Sequence, residues 1–369
     1  MAGRDSRNLI ALDLLRFACA LLVLSFHYCS SFASGGPPGG SAMLAGMPVD
    51  GRFADWASNG WIGVELFFLV SGFVIAWSAE GSTAAGFLRR RALRLVPAAW
   101  LCATLTAVVL LGCSNLPPVQ ILFEWLSSLG FSPFKPYIDP SYWTLAIEVA
   151  FYLAMAAVLV GGSGLARIER FGVLLGCASL AFWMAAAAGM VPGSDSRFYQ
   201  LMLLSYGCFF ALGIQLRVIQ RDGARPVRLL FALLFAVVGL IEIDVHRALI
   251  FGDRPAPIPA QLLFGIGLLP ILFAERLQPW LARRISGPFA ATLGLMTYPL
   301  YLLHQELGAV AAGALMRLGT GFWPAIAFAL AMSLGLSWLT VRFGEPWVRA
   351  GLMRLGRRPA QRSPWPSAR

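Results

Sequence analysis

Only a few ionisable side chains interrupt the long apolar stretches of this sequence, and they are the candidates for chemistry. The chain has three histidines: His27 and His304 lie inside apolar stretches, whereas His246, beside Arg247, is interpreted as a surface residue. An ionisable group inside lipid is costly and is therefore a functional hypothesis by default. The two apolar-segment histidines are accordingly candidates for proton transfer.

The first apolar stretch places an ion pair and an imidazole on one helix face. Arg16 and His27 are eleven residues apart, which is three helical turns plus about 20°, or roughly 16 Å along the axis. Asp13 precedes Arg16 by three residues and is predicted to form a structural ion pair with it. A purely structural salt bridge together with an interfacial histidine fits the same spacing.

Two carboxylates are predicted in the same half of the membrane as His27. Glu65 lies near the start of the second apolar stretch, and Glu148 lies about two turns into the fourth. Either one could orient His27 and stabilise its imidazolium, as the carboxylate of a hydrolase triad does. Glu65 could instead be solvated at the interface, and Glu148 could pair with another group. His304 is a candidate second acid/base or acceptor-binding group.

Arginines at the start of the third predicted helix suggest an anion site. Arg91 and Arg94 are three residues apart, and guanidinium groups at a helix N-terminus suit phosphate. Ordinary charge flanking a membrane span explains the same residues. The six cysteines and the histidines show no CxxC or HxxxH spacing, so no metal site is predicted.

Composition indicates the elements that must position these groups. The chain is 58% hydrophobic and 13% charged, with mean hydropathy +0.70, whereas soluble domains carry roughly 25% charged residues. The net charge of +11 does not indicate nucleic-acid binding, because the arginines lie between apolar runs and form no single patch. The sequence therefore predicts an all-α integral membrane protein.

The spacing of apolar segments predicts a bundle of about ten transmembrane helices with both termini cytoplasmic. A span needs about 20 apolar residues. This topology puts about 21 of the 29 lysines and arginines on the cytoplasmic side. Residues 1–350 are predicted to form the transmembrane domain and 351–369 a basic, disordered cytoplasmic tail. The predicted spans lie near 9–33, 57–78, 93–113, 141–161, 171–191, 199–216, 227–245, 259–275, 288–313 and 322–343.

The motifs together resemble the acyltransferase-3 family of bacterial membrane O-acyltransferases, over nearly the whole chain. That family's signatures are Arg-x10-His, Gly-Val-(Asp/Glu)-Leu-Phe-Phe-x-x-Ser-Gly-Phe, Arg-x-x-Arg, Trp-Ser-Leu-x-x-Glu-x-x-Phe-Tyr and Tyr-Leu-x-His. Thr144 replaces the usual serine, and the extracytoplasmic domain fused to many members is not expected in this chain. The matching elements, in chain order, are Arg16 with His27, Gly63–Phe73, Arg91 with Arg94 and Pro97, Trp143–Glu148 with Phe151 and Tyr152, and Tyr301–His304.

The resemblance implies transfer of an acyl group, expected to be acetyl, from cytoplasmic acetyl-CoA to a carbohydrate hydroxyl, without a metal. Arg16, Arg91 and Arg94 would hold the donor, and His27 would act as general base or acyl carrier. The acceptor would be free or lipid-linked and belong to a surface or exported carbohydrate such as exopolysaccharide or lipopolysaccharide. The expected location is the bacterial inner membrane. The chain would act alone or with a partner protein that replaces the extracytoplasmic domain, and no nucleic acid is expected as a partner.

A transporter or flippase for a lipid-linked sugar is the competing hypothesis. Its intramembrane charges would then form a proton relay. Two features of the sequence argue against a carrier. No inverted repeat is visible. The arginines form a basic site that would suit CoA, and a carrier has no need of such a site. Turnover of acetyl-CoA by detergent-purified protein, without a membrane gradient, would distinguish the two.

Overall fold

The computed structural model describes residues 9–32, 44, 48, 50–252 and 258–355, and within them every regular element is helical. In lipid a helix satisfies its own backbone hydrogen bonds, and the many alanines and leucines favour that structure. The α-helices, in chain order, are α1 (Ile10–Ser25), α2 (Ala54–Ala57), α3 (Gly63–Ala79), α4 (Ala84–Cys113), α5 (Pro118–Leu129), α6 (Trp143–Val160), α7 (Leu165–Ala187), α8 (Arg197–Leu201), α9 (Gly207–Asp222), α10 (Pro226–Phe251), α11 (Ala260–Leu272), α12 (Ala274–Arg284), α13 (Gly287–Arg317), α14 (Phe322–Leu339) and α15 (Glu345–Leu355).

Seven helical segments of the described chain are long and apolar enough to cross a membrane, or eight if the bent pair α11–α12 is one span. α11 and α12 meet at an angle of 80°. α9, at 16 residues, is shorter than a full span, and α13 carries polar side chains in its middle. The seven are Ile10–Ser31, Ala54–Ala79, Ala84–Cys113, Pro140–Val160, Leu165–Ala187, Pro226–Phe251 and Phe322–Arg354.

Several helix ends differ from the sequence-based boundaries, and two of them bear on the predicted donor site and the predicted tail. α4 begins at Ala84, about nine residues before the predicted span, because Thr83 caps it by accepting the Gly86 N–H at 3.2 Å. Arg91 and Arg94 therefore project from inside the helix and not from its N-terminus. At the other end of the chain, α15 continues to Leu355, into the predicted tail, and residues 356–369 lie outside the described residues.

Small residues bring α3 and α9 into close contact. A β-carbon at Gly72 would meet the backbone of Phe210, and one at Gly213 would meet the backbone of Leu69. In lipid, helix association depends on such close packing, and small residues at the interface permit it. Gly72 therefore admits α9 as a closely packed neighbour.

α13 lies at the centre of the bundle and packs against α1, α4 and α14. It runs unbroken through Pro299. Its middle turn carries His304, Gln305 and Glu306, all of them buried. Polar groups buried in a protein need hydrogen-bond partners. This turn is therefore a candidate location for the functional site.

Candidate active site

His27 and His304 form a direct pair, although 277 residues separate them. Nδ1 of His27 lies 2.7 Å from Nε2 of His304, and their ring centroids are 4.9 Å apart. His27 belongs to a π-helical turn, Phe26–Ser31, that continues α1. Such turns change the direction of a helix's side chains and occur often at functional sites.

The hydrogen bonds of His304 assign the protons of both rings. Nδ1 of His304 faces the carbonyl oxygens of Tyr301 at 2.8 Å and Leu300 at 3.2 Å. Carbonyls only accept, so Nδ1 of His304 carries the proton and its Nε2 is an acceptor. Nδ1 of His27 must then donate to that Nε2. A neutral His27 consequently has its lone pair on Nε2, where it can accept a proton.

A buried tyrosine holds the helix turn that carries His304. The Tyr28 hydroxyl donates to the carbonyl oxygen of His304 at 2.9 Å and lies 2.9 Å from the hydroxyl of Ser333. Tyr28 is 1% exposed. Tyr28 follows His27 directly in the chain. The same π-helical turn therefore carries the ring of His27 and, through Tyr28, holds the helix turn of His304.

Gly308 leaves the space that the Tyr28 hydroxyl occupies, because a β-carbon there would overlap it. We expect Gly308→Ala to displace Tyr28 and to destabilise the protein by about 1–3 kcal/mol, the usual effect of overpacking. The measurement is the apparent Tm of the purified protein in detergent. Gly335→Ala, on α14 with open space around the added methyl, is the matched control. Equal Tm values for the two variants would contradict the close contact.

Asp139 anchors α13 from the other side. Its Oδ2 accepts the backbone N–H of Glu306 at 3.0 Å, and its Oδ1 accepts the backbone N–H and the hydroxyl of Ser141. Burial raises the pKa of Asp139 above its usual range, and the hydrogen bonds from Ser141 and Glu306 oppose that shift. Sequence reasoning missed this residue, although an aspartate before Pro140 is a typical helix cap.

A cavity of about 630 Å³ lies between α1, α3, α4, α6 and α13 and contains all three predicted donor-site arginines. Arg16, Arg91 and Arg94 make no ion pair with a carboxylate within 4.0 Å in the part of the chain that the structure describes. Nε of Arg91 is buried without a hydrogen-bond partner. Unpaired guanidinium groups in a cavity favour an anionic ligand.

Two carboxylates share this cavity. Asp13 lines it beside Arg16, but among the described residues the two form no direct ion pair, and the Asp13 carboxylate lies against Gly294 of α13. Glu148 accepts hydrogen bonds from Ser71 at 3.1 Å and from Tyr152. Glu148 therefore lies in the cavity with the arginines.

The cavity ends one helical turn short of the histidine pair. Tyr301 lines the cavity and its ring centroid lies 5.9 Å from that of His304. The ring of Phe67 meets Tyr301 edge-on at 5.8 Å. Along α3 the lining runs from Val64 to Ser78, a rise of about 21 Å. An elongated ligand held by the arginines would extend toward the histidines.

Glu65 does not lie beside His27. Its carboxylate faces His246 and Glu242 of α10, and Nδ1 of His246 is 3.4 Å from Oε1 of each glutamate. The interpretation of His246 as a surface residue is wrong, because its side chain is only 24% exposed and stacks on Trp61. The group that orients His27 is His304, and neither predicted carboxylate takes that place.

Comparison with known proteins points to one family. The model of a family described as an acyltransferase domain matches residues 9–342. The "Putative peptidoglycan O-acetyltransferase YrhL" of Bacillus subtilis is 27% identical over 69% of this chain and 46% of its own length. The "O-acetyltransferase OatA" of Staphylococcus aureus is 24% identical over 69% of this chain and 47% of its own. "Nodulation protein 10" of Rhizobium leguminosarum is 26% identical over 56% of this chain and 59% of its own length. The chain thus spans about half the length of the curated relatives it matches, and no solved structure matches it.

Proposed function

Because the chain belongs to the acyltransferase domain family, we propose that it moves an acyl group, in the first instance acetyl, from cytoplasmic acyl-CoA to a hydroxyl of a surface or exported carbohydrate. The names of two relatives, both O-acetyltransferases, support the acyl group and the oxygen acceptor. One observation carries the proposal: a cavity lined by three arginines that form no ion pair among the described residues leads toward a histidine pair with a free basic nitrogen.

The arginine end of the cavity suits the donor. The phosphates of acyl-CoA would meet Arg91 and Arg94, whose guanidinium groups line the cavity and have no ion-pair partner in the described part of the chain. The uncharged pantetheine arm would follow the largely apolar face of α3 toward Tyr301. Arg16, between the two ends, would contact a donor phosphate or carbonyl.

The histidine end suits the acceptor. A sugar hydroxyl is a weak nucleophile until a base takes its proton. Nε2 of His27 would accept that proton as the oxygen attacks the thioester carbonyl, and the departing CoA thiolate would take the proton afterwards. His304 would act as a positioning residue, since it accepts from Nδ1 of His27 and fixes the ring. The same free Nε2 would serve if His27 carried the acyl group covalently.

The topology proposed with this activity has ten spans, both termini in the cytoplasm and the bacterial inner membrane as location. The bent pair α11–α12, α9 and α13 would add three spans to the seven. An even number of spans places both termini on one side, and the distribution of arginines favours the cytoplasm for them. Residues 1–350 would form the transmembrane acyltransferase domain.

The test is turnover of acetyl-CoA by the detergent-purified protein, without a membrane gradient. We expect release of free CoA thiol, slow with water as acceptor and faster with an added oligosaccharide. S-acetylpantetheine, which has the thioester but no nucleotide phosphates, is the matched donor and should be used poorly, because it cannot engage the arginines. If the protein neither binds nor cleaves acetyl-CoA, the proposal fails and the flippase hypothesis takes its place.

A further inference from the structure

A second cluster of buried ionisable side chains lies apart from the cavity and the histidine pair. Glu65 of α3 meets Glu242 and His246 of α10, and one ligand atom of each lies within 4.8 Å of the others. Glu65 is 0% exposed and Glu242 is 2% exposed. Three groups able to bind a metal thus converge between two helices that the sequence places far apart.

Three of the four carboxylate oxygens in this cluster lack a hydrogen-bond partner. Both side-chain oxygens of Glu65 and Oε2 of Glu242 are buried with none. Two carboxylates buried together, with one imidazole as their shared neighbour, are unfavourable in a medium of low dielectric constant. A bound divalent cation would neutralise both charges and satisfy the open oxygens.

The two distances from His246 are compatible with metal coordination. Nδ1 of His246 is 3.4 Å from Oε1 of Glu65 and 3.4 Å from Oε1 of Glu242. N–H···O hydrogen bonds usually measure about 2.7–3.2 Å. Four ligands placed tetrahedrally at roughly 2.0–2.1 Å from a Zn²⁺ ion are separated by about 3.3–3.4 Å.

We propose that Glu65, Glu242 and His246 bind a divalent transition-metal cation of the Zn²⁺ class, with the fourth position left to water. An imidazole among the ligands favours such an ion over Mg²⁺ or Ca²⁺, which prefer oxygen alone. Trp61 stacks on His246 with ring centroids 4.6 Å apart and so fixes the direction of the ring. Because the side chain of His246 is 24% exposed, an ion can reach the site.

The metal would act as a cross-link between helices. It joins the start of α3 to α10, and Glu65 precedes Phe67, the ring that meets Tyr301 at the end of the cavity. Binding would therefore stabilise the bundle and hold Phe67 in place. This role does not depend on acyl transfer, so the proposed function can fail while the metal site stands.

The test measures zinc bound to the full chain, purified in detergent with a tag free of histidines. After EDTA treatment and removal of the chelator, Zn²⁺ is returned by equilibrium dialysis and counted by mass spectrometry. We expect about one Zn²⁺ per wild-type chain and an increase in apparent Tm on zinc addition. Glu242→Gln should lose zinc affinity by at least roughly 10–100-fold and show no zinc-dependent increase in Tm.

Asp244→Asn is the matched control, since Asp244 is an exposed carboxylate on the same helix, two residues from Glu242. It should bind zinc and gain stability as the wild type does. Wild-type protein that takes up no zinc and shows no Tm increase would overturn the proposal without reference to any variant. Equal zinc binding by wild type and Glu242→Gln would overturn it as well.

Discussion

Replacing His27 with alanine is expected to lower the rate of acyl transfer by about 10²–10⁴-fold while acetyl-CoA binding stays unchanged. The variant lacks the only basic nitrogen that the proton assignment leaves free in the histidine pair. It keeps all three arginines of the cavity. The measurement is kcat at saturating donor, beside the Kd for acetyl-CoA. Near-normal kcat in His27→Ala would rule out both proposed roles of this residue.

Two variants of His304 serve as a matched pair for the same prediction. His304→Gln can still accept a hydrogen bond from Nδ1 of His27, whereas His304→Leu cannot. If His304 acts by fixing the protonation of His27, the glutamine variant keeps more activity, and only the leucine variant shifts the pH profile of kcat. Equal losses in both variants, with an unchanged pH profile, would indicate a purely structural role.

Replacing Arg91 and Arg94 together with alanine is expected to weaken acetyl-CoA binding by about 10²-fold. Each charge-assisted hydrogen bond contributes roughly 1.5–3 kcal/mol, and the two losses are not fully additive. Neither side chain has a carboxylate partner within ion-pair distance among the described residues, so the variant breaks no ion pair of the fold. The Kd is measured by calorimetry at two salt concentrations, because the loss of two charges should also reduce the salt dependence.

Arg89→Ala with Arg90→Ala provides the control for charge. Both arginines are exposed on the same helix and lie outside the cavity, so this variant changes the net charge equally. Its Kd should stay near that of the wild type. A weakening equal to that of the Arg91/Arg94 variant would show only a general electrostatic effect. An unchanged Kd in the Arg91/Arg94 variant would move the donor site elsewhere.

The two sets of variants separate donor binding from acyl transfer. His27 lies roughly 16 Å beyond Arg16 along α1, and the cavity covers the distance up to Tyr301. Loss of binding in one variant and loss of turnover in the other would support a donor that reaches from the arginines to the histidines. Loss of both properties in both variants would instead indicate one indivisible site.

Much of this protein follows from the order of its residues. The apolar runs determine that the described chain is helical and rich in membrane-length segments, since lipid tolerates only backbones that bond internally. The helical period also indicates which side chains share a face. This period depends only on neighbouring residues, so it can be derived from the sequence. The three arginines predicted to bind one ligand do line one cavity.

The partners of the buried polar groups were decided by the tertiary structure alone. Glu65 and Glu148 were candidates for the neighbour of His27, but His27 bonds to His304. Glu65 meets His246 and Glu242 instead. Asp139, which accepts a backbone N–H of α13, was not predicted from the sequence as a site residue. The physical reason is that helical periodicity fixes a face and not its neighbour. Which faces meet depends on close contacts such as Gly72 against α9, and these form only when the whole bundle packs.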